Sequence, residues 1–167
     1  MKSTFLSCLT LALAGIGQTT TAPSRAKMDD TDRRFLVAIE QGGLAELQAG
    51  QIAAQAGNPY DRRLGKRMVR TSQALTTDLI KFADKREMTV PSTPTPEDSV
   101  KVHQLEKTHD GNFDAKFRHF TVLGHRQMIQ VFRDEIQNGA DPMIRAWAQR
   151  KLPELRRQYR MARNIPD

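Results

Sequence analysis

Leu152-Pro153-Glu154-Leu155-Arg156-Arg157-Gln158-Tyr159, close to the C-terminal end, is the stretch that decides how this chain is built. Leu152, Leu155 and Tyr159 continue a series that starts at Ile144 and Trp147 and ends at Ala162, an apolar stripe at helical spacing. Gln158 falls on that inward stripe. A histidine there would point to a metal site inside a helical bundle, whereas a glutamine amide is a poor transition-metal ligand. Pro153 predicts a kink or a break near residue 150.

Working outward, the same periodicity recurs along the chain. Asp29, Asp30, Thr31 and Asp32 supply an N-cap and an acidic first turn for a helix carrying Phe35, Leu36, Ile39, Leu44 and Leu47. Gly42-Gly43 predicts a break or kink in it, and Gly57-Asn58-Pro59 stops it. A second helix is expected over 60–86, with Leu64, Met68, Leu75, Leu79 and Phe82 on one stripe and Ser72 facing inward. Three prolines between Pro91 and Pro96 make an extended crossover, followed by a short helix to His109. The fourth helix, from Asn112 to Gln137, has an apolar arc so wide that it reads as the most buried one. With no period-2 run, the fold class is all-α: an antiparallel four-helix bundle with an additional short helix over 30–163.

The N-terminal 22 residues carry one charge, Lys2, ahead of an apolar run from Phe5 to Ala14 and a small-residue exit. This is the pattern of a cleavable signal peptide, cut somewhere between residues 14 and 26, with a linker over 23–29. It predicts secretion to the periplasm or cell envelope. The run is too short to span a bilayer as a helix, which needs about 20 apolar residues. Cys8 is the only cysteine and lies inside this run, too early for lipid attachment to be favoured. The mature chain therefore has no disulfide to rely on and must be held by packing.

The net charge is +7. Arg63, Arg67 and Arg70 fall on one side of the second helix, and Arg156, Arg160 and Arg163 on one side of the last, away from the apolar stripes. Such a face attracts polyanions. In an exported protein the expected partners are anionic lipid or polysaccharide of the envelope. The absence of aromatics interleaved with these charges argues against a nucleic-acid platform.

Phe35 with Glu46-Leu47, Met68-Val69, Gly111-Asn112-Phe113-Asp114, Gly124-His125 and Asp141-Pro142 followed by Leu152-Pro153-Glu154-Leu155 occur in an order that resembles the exported bacterial family called domain of unknown function 4142 (DUF4142). The resemblance covers about residues 30–163 and implies a ferritin-like bundle with no established activity. That family usually carries an Asp-His pair after the Met-Val of its second helix and a histidine after the Leu-Pro of its last. Here Thr71-Ser72 and Gln158 stand at those positions, so of the inward polar set Glu46 and His125 remain.

A ferritin-type di-metal centre needs a carboxylate from each of two helices and a Glu-x-x-His from each of two others. Glu106-Lys107-Thr108-His109 is one such copy and there is no second. The alternative to an anion-binding protein is thus a metal-binding one with a reduced site of Glu46 and His125, joined by Glu106 and His109. His125 is expected mainly as a buried, hydrogen-bonded core residue with Glu46 as partner. Ser72 and His125 are placed to meet across helices two and four. The chain lacks a Gly-x-Ser-x-Gly elbow and a phosphate-cradling glycine loop, so it is expected not to be an enzyme and to need no cofactor.

Overall fold

The computed structural model describes residues 28–108 and 111–164. The expected signal peptide, most of the linker and His109 lie outside them. Five helices follow in order: α1 (Asp30–Ala56), α2 (Pro59–Asp84), α3 (Pro96–Glu106), α4 (Phe113–Asn138) and α5 (Pro142–Arg163). Local chemistry sets their starts. Asp29 accepts from the backbone of Thr31 and Asp32 while Asp32 reaches back to Asp29, a reciprocal capping box. Asn58-Pro59, Thr95-Pro96 and Asp141-Pro142 repeat one device: an oxygen-bearing side chain caps the first free N–H groups, and proline at the first helical position needs none.

Two apolar clusters fix the topology. One joins Phe35 and Ile39 from the start of α1 to Leu79 near the end of α2, Phe132 late in α4 and Trp147 early in α5. The other joins Ala53, Leu64, Phe117 and Ala162, from the opposite ends of the same helices, with Val102 and Leu105 of α3. So α1 and α5 run one way and α2 and α4 the other. Each hairpin closes through a few residues, but α2 and α4 are parallel. The chain between them, containing α3, must return the length of the bundle. Two hairpins with one long crossover is the ferritin-like connectivity.

Three expectations are corrected. Gly42-Gly43 does not break α1, which is helical throughout; α1 packs against α2, α3 and α4, and that burial outweighs the roughly 1 kcal/mol per glycine lost in propensity. Pro153 does not break α5 either, because it sits on the exposed side where water meets the freed carbonyl. The most buried helix is α1 rather than α4, with eleven buried residues against eight. The reason is its small residues. Gly50 and Gly65 bring α1 and α2 so close that a Cβ on Gly65 would lie 2.6 Å from the Gly50 carbonyl oxygen.

Polar ties lock the end near the start of α1. Asp32 accepts from the backbone N–H of Asp141 at 3.1 Å, and Asp141 in turn pairs with Arg86 beyond α2. Trp147 stacks on Phe132, meets Phe35 and Phe82 edge-on and donates from Nε1 to Asp78 at 3.1 Å.

Candidate functional site

Between the two apolar clusters lies a polar layer to which all four long helices contribute: Glu46 on α1, Thr71 and Ser72 on α2, Thr121 and His125 on α4, Gln158 on α5. His125 and Gln158 are fully buried, Glu46 2% exposed. The layer is organised from its rim. Glu154, one turn before Gln158, accepts from Arg67 at 2.8 Å and from Arg157 at 3.1 Å. Burial alone would raise this carboxyl; the hydrogen bonds and charges of Arg67 and Arg157 outweigh it and hold the group at about 2.

An ionised carboxylate only accepts. The amide nitrogen of Gln158 therefore faces Glu154, at 3.2 Å, and also donates to the Thr71 hydroxyl at 2.6 Å. This turns the amide oxygen toward His125, whose Nε2 is 2.8 Å away. On the opposite side of the ring, Nδ1 lies 3.0 Å from the backbone carbonyl of Thr121. Both neighbours are acceptors, so each ring nitrogen of His125 is placed to donate. Glu46 Oε1 lies 3.1 Å from Nδ1. The N–H itself points at Thr121, so neither Glu46 oxygen accepts a hydrogen bond among the described residues. Burial pushes Glu46 above the ordinary carboxyl range, and the charge of His125 opposes that.

The expected Glu46–His125 pairing is present. The Ser72–His125 pairing is not: Ser72 is buried, but its hydroxyl has no partner among the described residues, and both nitrogens of His125 are engaged elsewhere. Glu106 does not join the layer either; it lies on the exposed side of α3, 3.4 Å from His103. Among the described residues no three His, Cys, Asp or Glu side chains are placed to hold a metal ion together. The residues of the layer do not fit a ferritin-type metal centre. Two conventional ligands are present, both ring nitrogens of His125 are engaged by Thr121 and Gln158, and Ser72 and Gln158 complete the circle.

The motifs that carried the resemblance thus meet in space, with Glu46, Gly124-His125 and the stretch after Leu152-Pro153 around one buried layer. A family model described as domain of unknown function (DUF4142) matches residues 17–165. The chain belongs to the DUF4142 family. Neither curated proteins nor solved structures provide a match.

In this DUF4142 protein the arginines are sorted by α4 as much as by α2. Arg67 is not available to an outside anion, because Glu154 occupies it. Arg63 lies over the Tyr60 ring and Arg163 over the Tyr159 ring, so aromatics do accompany these charges in space, contrary to the expectation from sequence. Arg70 is exposed on α2. Arg156 and Arg160 of α5 instead face Arg126 and Arg133 of α4 across a groove of about 510 Å³ floored by Tyr159 and Ile129. No acidic residue lines it. Arg126 and Arg133 escaped the sequence reading, although their seven-residue spacing is two helical turns and puts both on one side of α4. No helix among the described residues is long and apolar enough to cross a membrane.

Proposed function

We propose that this protein is exported and acts without catalysis by holding anionic groups of the cell envelope, phosphate-bearing lipid headgroups above all, in the arginine groove between α4 and α5. The observation that carries this reading is the composition of the groove: Arg126, Arg133, Arg156 and Arg160 line it, all exposed, and none forms an ion pair with a described residue. Four guanidinium groups on one groove repel one another, and a phosphate that enters accepts from their planar forks and relieves that repulsion. The apolar start of the chain and its small-residue exit support export.

The test is sedimentation of the protein with vesicles of anionic lipid, beside zwitterionic vesicles and a soluble anionic polysaccharide. Binding to anionic vesicles that falls steeply with added salt is expected, because contacts of this kind are screened. Arg156→Glu with Arg160→Glu should abolish it while helical content stays unchanged. Binding indifferent to salt or to these substitutions would overturn the reading. Preference for the polysaccharide would reassign the anion.

A further inference from the structure

On the side of α4 away from the α5 groove lies a second, larger cavity of about 740 Å³, framed by α1, α3 and α4. Its size is that of a small-molecule pocket. Ala45, Leu105, Phe120, Leu123 and Val131 give it a largely apolar surface, with Asp98, Lys101, Lys116 and other polar side chains completing the lining. Glu46 lies in its lining, 2% exposed, with both carboxylate oxygens lacking a hydrogen-bond partner among the described residues. The wall toward Glu46 is thin because residue 124 is glycine: a Cβ there would meet nothing closer than Glu46 Oε1, at 4.0 Å.

We propose that this cavity is a binding site for a small amphiphile whose apolar body lies against the α1, α3 and α4 walls and whose head group donates a hydrogen bond to Glu46. Three observations converge on that chemistry. The walls reward an apolar chain by removing it from water. Neither Glu46 oxygen accepts a hydrogen bond among the described residues, so a head carrying an O–H or N–H supplies the missing donor. Leaving a buried carboxylate oxygen unpaired is costly, and a donor that enters the cavity removes that cost. His125 cannot do so, since its two ring nitrogens are engaged by Thr121 and Gln158. The alcohol and the amine share the required chemistry. A carboxylate head of equal chain length does not, because it brings only acceptors to a floor that already has two acceptors without donors. This site is independent of the arginine groove and stands or falls separately from it.

The proposal is tested by calorimetric titration of the whole mature protein with decanol, decylamine and decanoate below their aggregation limits. Decanol or decylamine should bind about tenfold or more tightly than decanoate, the factor expected for a buried acceptor that gains or fails to gain its donor. Decanol above decylamine identifies a neutral donor, and the reverse order identifies an ammonium. Gly124→Leu places a side chain in the open space beside Glu46 and should abolish binding of both while leaving the helical spectrum intact. Decanoate binding as tightly as decanol would put the head group at Lys101 and Lys116 on the lining instead and overturn the role of Glu46. Unchanged decanol binding by folded Gly124→Leu, or no binding of any of the three by the unmodified protein, would overturn the site itself.

Discussion

His125 of α4 and Gln158 of α5 are joined by a 2.8 Å hydrogen bond in which the ring nitrogen donates and the amide oxygen accepts. The direction of that bond is set at the rim of the layer, by the half-buried Arg67–Glu154 pair that turns the amide, so an ion pair one turn away orients the partner of a fully buried ring. The layer ties α1, α2, α4 and α5 together between two apolar clusters that have no polar specificity of their own.

Removing the acceptor should therefore be felt. Gln158→Leu leaves a buried N–H without a partner and is expected to cost about 1–3 kcal/mol in urea unfolding. Glu46→Leu takes away the buried partner 3.1 Å from His125 Nδ1 and should cost about 3–5 kcal/mol in the same measurement.

Two buried carboxyls make stability fall as pH rises. Burial and the nearby Asp32 and Asp29 push Glu135 up to about 8, and burial with the Asp114 carboxyl pushes Asp61 up to about 7. In the unfolded chain both titrate near 4, so between about pH 4 and pH 8 the folded state holds protons that the unfolded state has released. Their contribution is present in acid and lost on ionisation. Glu154 acts in the opposite sense, its contribution being lost as pH falls from its ordinary 4.5 toward about 2, and it is partly exposed and screened. Glu135→Gln should be more stable than the unmodified protein near pH 8, by ~2–4 kcal/mol, with the advantage gone near pH 4. Denaturant melts across this range decide it.

Glycines at two positions should respond oppositely to alanine. A Cβ on Gly65 meets backbone 2.6 Å away and forces α1 and α2 apart, a loss of about 1–3 kcal/mol. A Cβ on Gly124 enters open space, so Gly124→Ala should gain about 0.5–1 kcal/mol from helix propensity. Thermal melts of the two variants should move in opposite directions.

Pro153 is exposed inside α5 and packs into no apolar cluster. Pro153→Ala restores a backbone donor without exposing core and is expected to stabilise by about 1–3 kcal/mol. A loss of stability would show that the proline shapes the path of α5 through the polar layer.

Much of this protein was legible in its residues alone. Apolar spacing, the Asn-Pro, Thr-Pro and Asp-Pro starts and the glycine stops located the helices, because helix periodicity and capping act over four residues and are written locally. The same periodicity put Ser72, His125 and Gln158 inside, and all three are buried. The pairing among them was decided only by tertiary structure. Ser72 and His125 share the layer without bonding, since reach depends on how two helices cross, and Gln158 took the ring because Glu154 and Arg67 had oriented its amide. The endurance of α1 through Gly42-Gly43 and of α5 through Pro153 is likewise a tertiary outcome, in which packing outweighs propensity. The two grooves beside α4 are empty space between neighbouring helices, lined by residues that lie tens of positions apart in the chain. Sequence names the residues of such a groove one helix at a time, and only the packing of α1, α3, α4 and α5 sets them facing one another.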